Sequence, residues 1–133
     1  MGQELDMSDL ILIDTDVLVD FFRGHSKAIK FVNTNSPNII LSSIVVAELY
    51  AGIKTDAEQT AIDNFVSIFR VIPVNAEIAK AGGLYKCQYA KSHGIGLADA
   101  ILAATAQIVN AELKTLNVKH YPMLKSLKPA YKK

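Results

Sequence analysis

The chain has one cysteine, Cys87, in 133 residues, so no internal disulfide can form. No uninterrupted apolar stretch approaches the ~18 residues of a membrane span. The opening MGQELDMSDL carries acids where a secretory signal would place basic residues ahead of an apolar run, and position 6 is Asp6 rather than the Ser or Thr of a myristoylation motif. These absences predict a reducing, cytoplasmic location with no membrane attachment. There are four prolines and seven glycines, with no low-complexity tract or internal repeat, which excludes a disordered or solenoid chain. Aromatic and basic residues do not interleave as they do on a platform for stacking single-stranded nucleic acid.

What is present is a hydrophobic share of 50% and a mean hydropathy of +0.22, enough for one core and one domain over residues 1–133. The net charge of +1 hides an asymmetry. Residues 1–20 hold six acids and no Lys or Arg, whereas residues 111–133 hold six lysines against the single acid Glu112. Two readings stand open: a cation-binding pole beside a phosphate-attracting tail, or a solvated terminus.

Short aliphatic runs alternate with helical periods. LILID reads as a buried strand, DVLVDFFRG as a helix closed by Gly24, SKAIKFVNTN as a second helix and IILSS as a second strand. IVVAELYAGI and DAEQTAIDNFVSIF are helical, the latter with Ala57, Ala61, Phe65 and Ile68 on one face. RVIPV is a third strand. Helices over Ala76 to Ser92 and Leu97 to Val109 meet at HGIG, ELKTLNV makes a fourth strand, and LKPAY a fifth at an edge, where Pro129 is tolerable. Strands separated by helices predict a three-layer α/β/α sandwich with a mostly parallel sheet of four to five strands, and ligands beyond the strand C-termini.

Asp14 falls where the first strand ends, at the mouth of that crevice. Glu48 is the lone charge in SSIVVAELYAGI, and Asp99 the lone charge in GIGLADAILAATAQIV. An ionised carboxylate in apolar surroundings is costly without a partner. A hard divalent cation shared by the three acids would compensate all of them. Plainer roles compete: Asp14 or Asp16 as the N-cap of the first helix, Asp99 as the cap of a later one, Glu48 and Asp20 as solvated side chains.

These residues resemble the PIN domain, and specifically the toxin ribonucleases of the VapBC toxin–antitoxin type. LILIDTDVLVDFFRG, LSSIVVAELYAGI, GLADAILAATAQ and LKTLNVKHYPML match four family blocks in order, from Leu10 to about Tyr131. The resemblance implies a catalytic Mg²⁺ or Mn²⁺ site of Asp14, Glu48 and Asp99. A fourth family acid is expected near TLNVKHY, where this chain has Asn117 and His120. Asp16 can supply the missing charge, and Thr115 and Asn117 auxiliary oxygens; His120 reads as a capping or surface residue.

Such a centre hydrolyses RNA by generating hydroxide and stabilising phosphoryl charge. His25, His93 and His120 lie outside the three acid-bearing blocks, against a two-histidine mechanism. Positive side chains must flank an acidic crevice that takes RNA. Arg23, Lys54, Lys86, Lys91, Lys114 and Lys119 are the candidates, with ordinary surface as the alternative for each. The family further implies a VapB-type antitoxin and a homodimer. The lack of a stacking platform favours recognition of the shape of a folded RNA, and a transfer RNA, a ribosomal RNA loop and unspecific messenger cleavage all stand open as targets. Phe21, Phe22, Ile29 and Phe31 are candidate antitoxin contacts or simply core. Two rivals remain: a PIN-like scaffold that binds RNA or a partner without cutting, and a haloacid-dehalogenase-like phosphatase with Asp14 as nucleophile and Asp16 as its acid/base partner. The latter wants a small hydroxyl residue where Leu18 stands and paired acids late in the chain.

Overall fold

Ile11, Leu12 and Ile13 are buried on both faces and form the strand β1 (Ile11–Ile13) in a computed structural model that describes residues 9–133. The opening acids Glu4 and Asp6, and the signal and myristoylation readings, lie outside the described residues. The chain continues through α1 (Thr15–Phe22), α2 (Ser26–Asn35), β2 (Ile39–Ser42), α3 (Ser43–Ala51), α4 (Asp56–Val66), β3 (Arg70–Ile72), α5 (Ala76–His93), α6 (Leu97–Ile108) and β4 (Glu112–Lys114). All strand pairs are parallel, in the order β3-β2-β1-β4. The register sets Leu12 against Ile40 on one side and Leu113 on the other. Strands buried on both faces by helices explain the unbroken aliphatic runs.

That order places the site. The chain steps outward from β1 to β2 to β3, then returns to the other side of β1 with β4, so β1 and β4 flank the point where the strand order reverses. A crevice opens there beyond the strand ends. Asp14 follows β1 directly, Thr115 follows β4, and the Asp14 N–H donates to the Lys114 carbonyl at 2.9 Å.

Helix ends follow local chemistry. Asn75 and Thr55 cap α5 and α4 with side-chain oxygens, and α5 closes at Gly94, whose φ of 60° is left-handed. Gly82 lets α5 lie against α6: a Cβ there would stand 2.7 Å from Ile101 Cγ1 and 2.8 Å from its Cα. Small buried residues on α6, Ala100, Ala103, Ala104 and Ala106, bring that helix close to the sheet.

Three sequence expectations need correction. On α4 the buried pair is Ile62 and Phe65; Ala57 and Ala61 are exposed, and Ile68 is 72% exposed because the helix ends at Val66 before reaching it. The fourth strand stops at Lys114, because its partner Ile13 is the last residue of β1 and Asp14 then caps α1. LKPAY contributes a single parallel bridge, Thr115 to Pro129, rather than a fifth strand.

Candidate active site

Asp14 is 7% exposed and satisfies two demands at once. Its Oδ1 accepts from the Thr15 N–H at 2.7 Å and caps α1; its Oδ2 accepts from Thr115 Oγ1 at 2.9 Å and from the Tyr121 hydroxyl at 2.5 Å. The capping role and the crevice role are thus compatible. Burial raises the carboxyl pKa, the Tyr121 and Thr115 hydrogen bonds oppose the rise, and the neighbouring Asp99 charge adds to it.

Asp16 sits in the first turn of α1 rather than at its cap. Its Oδ2 accepts from the Leu116 N–H at 3.0 Å, Thr115 Oγ1 at 3.2 Å and Asn117 Nδ2 at 3.2 Å. Its Oδ1 is buried and has no hydrogen-bond partner among the described residues. Burial, and then the charge of Asp14, push its pKa up to about 6. Asp99, in the first turn of α6, receives the Tyr121 hydroxyl at 3.1 Å on Oδ1 and lies 3.2 Å from His120 Nδ1 through Oδ2. Glu48 is exposed on α3 and joins indirectly: its Oε1 accepts from Thr15 Oγ1 at 2.6 Å.

The hydroxyl bonding has a definite arithmetic. Each hydroxyl has one proton to give. Thr115 stands between Asp14 and Asp16, and Tyr121 between Asp14 and Asp99, so two protons face four carboxylate contacts. The remaining contacts set lone pairs against each other unless a proton or a cation intervenes. Among the described residues no three His, Cys, Asp or Glu side chains converge closely enough to enclose an ion as they stand. The donor set is nonetheless of the right kind for a hard divalent ion: carboxylate oxygens, with Asp16 Oδ1 beside them buried and unpartnered among the described residues.

The structure therefore brings Asp14, Asp16, Asp99, Thr115 and Asn117 together, with Glu48 one residue removed. Tyr121, 1% exposed, is the member that sequence reasoning missed. TLNVKHY drew attention to Asn117 and His120, and nothing in the spacing marks the tyrosine that follows as the residue turned inward. His120 is placed on Asp99 and not on open surface alone.

The candidate cations are scattered. Arg23 lines a cavity beside Asp16. Lys86 Nζ donates to the Ile95 carbonyl at 2.7 Å and holds the turn before α6, and Lys114 pairs with Glu112 at 3.0 Å. Lys54, Lys91 and Lys119 are exposed. Phe21 and Phe22 are half-buried and pack with Phe65 at ring separations of 5.1 and 5.2 Å; Ile29 and Phe31 are half-buried on α2.

A PIN domain model matches residues 11–121. The chain is 37% identical over 125 residues to Ribonuclease VapC10 of Mycobacterium tuberculosis, covering 92% of this chain and 93% of that one. It is 39% identical over 125 residues to Ribonuclease VapC19 of the same species, covering 90% and 98%. Among solved structures, a toxin-antitoxin complex from Klebsiella pneumoniae superposes with a TM-score of 0.79 at 27% identity, over 92% of this chain and 99% of that chain. VapBC2 from Rickettsia felis, bound to a DNA fragment from its promoter, gives 0.73 at 26% identity over 89% and 95%. Acids following a central strand at the reversal of a parallel sheet, and sequence likeness over nine-tenths of the chain, point the same way: the chain belongs to the PIN domain family and, within it, to the VapC type.

Proposed function

We propose that this chain is a divalent-metal-dependent endoribonuclease that hydrolyses RNA phosphodiester bonds as the toxin of a toxin–antitoxin pair. The observation that supports it most is the gathering of Asp14, Asp16 and Asp99, from the end of β1, α1 and α6, around two hydroxyls whose two protons cannot fill all four contacts between them. Asp14, Asp99 and Glu48 are the residues that would hold Mg²⁺ or Mn²⁺. When bound, such an ion makes a water acidic enough to serve as hydroxide near neutral pH and offsets charge on the phosphoryl oxygens. Asp16, Thr115 and Asn117 fix the carboxylates: Thr115 ties Asp14 to Asp16, and the Asn117 N–H fixes Thr115 Oγ1 at 3.1 Å. Thr15 couples Glu48 to the start of α1.

The VapC names of the relatives and the toxin-antitoxin titles of the similar structures support a VapB-type antitoxin as partner. The exposed apolar side chains Leu84 and Leu97 of α5 and α6 are candidates for contact with a second copy. No helix among the described residues is long and apolar enough to cross a membrane.

The scaffold reading draws on one observation, that among the described residues no three ligands enclose an ion as placed. Cleavage of a broad RNA pool with Mg²⁺ or Mn²⁺ separates the two. We expect cutting that chelation abolishes and that Asp14→Asn or Asp99→Asn lowers by more than the ~10–100-fold typical of losing an outer-shell partner. Equal inertness of wild type and both folded variants would favour the scaffold. The phosphatase reading is set aside by the family and by Leu18, buried where that motif wants a small hydroxyl residue.

A further inference from the structure

An open cavity of about 600 Å³ adjoins the acidic cluster on the side of Asp16. One wall is a single face of α1 and its C-cap, where Asp16, Val19, Asp20 and Arg23 recur at helical spacing. Seven residues of helix carry that wall roughly 10 Å from Asp16 to Arg23, room for one nucleotide and not for several. Leu116 and Asn117 close the end near Asp16, and Lys133 stands across from Asp20. The lining thus passes from hydrogen-bonding groups, past the apolar Val19 and Leu116, to two cations.

Lys133 is held there by more than chance contact. Its Nζ lies 3.3 and 3.1 Å from the two oxygens of Asp20, yet the side chain is 54% exposed, leaving a proton free for a ligand. Asp20 is buried and also accepts from the Tyr131 hydroxyl at 2.8 Å. The Tyr131 ring stacks on His25 at 5.7 Å, the Ala130 N–H donates to the Thr115 carbonyl at 2.9 Å, and Lys27 Nζ reaches the Lys132 carbonyl. Segment 130–133 is therefore fastened to α1, to α2 with its cap, and to the residue after β4. Arg23, exposed, has no ion-pair partner among the described residues.

The geometry points to this cavity as the seat of the RNA nucleotide next to the scissile phosphate. Arg23 and Lys133 hold its phosphate, Val19 and Leu116 pack against its sugar or base, and Asp20 and Tyr131 are positioning residues for Lys133. The assignment rests on the ribonuclease reading and deepens it. A phosphate there would meet two cations across from the acids beside which its neighbour is hydrolysed, which offsets the repulsion an acidic crevice exerts on RNA.

The test is equilibrium binding of bulk transfer RNA in EDTA, so that nothing is cut, at about 50 and 200 mM salt. Wild type is compared with Arg23→Gln, Lys133→Gln, Tyr131→Phe and, as a control away from the cavity, Lys125→Gln. We expect Arg23→Gln and Lys133→Gln each to weaken binding roughly fivefold and to lower the salt slope by about one. Tyr131→Phe should weaken it less, and Lys125→Gln not at all. Melting temperatures check folding; if Tyr131→Phe is unstable, the two exposed cations carry the test alone. Unchanged affinity and slope in both cation variants, or an equal loss in Lys125→Gln, would overturn the subsite while leaving the ribonuclease reading intact, provided that wild type binds. A wild type that neither binds nor cuts RNA removes both.

Discussion

The Tyr121 hydroxyl donates to Asp14 Oδ2 at 2.5 Å while standing 3.1 Å from Asp99 Oδ1, so one buried phenol spans the two acids that the sequence places at the ends of different elements. Burial and the two carboxylates drive its pKa far upward, so it remains a donor at every working pH. Tyr121→Phe keeps the ring's packing and removes the donor. A hydrogen bond to a charged group contributes about 1.5–3 kcal/mol, and a loss of that order is expected in denaturant unfolding in EDTA. A loss below about 0.5 kcal/mol would show that Asp14 does not depend on this hydroxyl.

The two raised carboxyls give a pH prediction of definite sign. Asp14 and Asp16 have folded pKa values above their unfolded ones, about 6 for Asp16. Their contribution to stability is complete below an unfolded pKa of about 3.9 and is lost as pH rises through the folded values. A divalent cation takes over the role of the proton, so Mn²⁺ or Mg²⁺ should raise the melting temperature more at pH 7.5 than at pH 5. An equal or larger rise at pH 5 would count against carboxylate binding.

Asp20 runs the other way. Burial pushes its pKa up, but the Tyr131 hydroxyl and Lys133 outweigh that and hold it below the usual value. The stability it contributes is present above the unfolded pKa and is lost as pH falls through the folded one. The gap in stability between wild type and Asp20→Asn should therefore narrow as pH drops below about 4. Acid unfolding curves of the two proteins read this directly, and a gap that widened would contradict the pairing.

Adjacent glycines on α5 make a controlled pair. Alanine at Gly82 would press its Cβ on the backbone of Ile101, whereas Gly83 has nothing within 4 Å of that position. Gly82→Ala should destabilise by about 1–3 kcal/mol through overpacking. Gly83→Ala should stabilise by about 0.5–1 kcal/mol, the helical preference of alanine over glycine. Equal effects in urea unfolding would mean that α5 and α6 are not packed as described.

The layered fold and most elements were legible because aliphatic strands and helix punctuation are local signals; α5 and α6 lie within a residue or so of their expected bounds. The short β4 was not, because its length is set by its neighbour: β1 ends at Ile13, where Asp14 turns to cap α1. Asp14, Glu48 and Asp99 could be singled out as charges within apolar runs. Tyr121 and Tyr131 could not, since a tyrosine near lysines reads as surface until the fold turns its hydroxyl onto Asp14 or Asp20. Lys133 was likewise invisible as a cavity residue, because its place depends on Asp20, more than a hundred positions earlier in the chain.

The central claim is that Asp14 and Asp99 share a cation whose place the Tyr121 hydroxyl now spans. Anomalous scattering from crystals grown with Mn²⁺ tests it most directly. The account predicts one strong peak touching an oxygen of each of these two carboxylates, with the hydroxyl moved off at least one of them. A fully ordered site in saturating Mn²⁺ with no peak, and with Tyr121 still bonded to both acids, would contradict it.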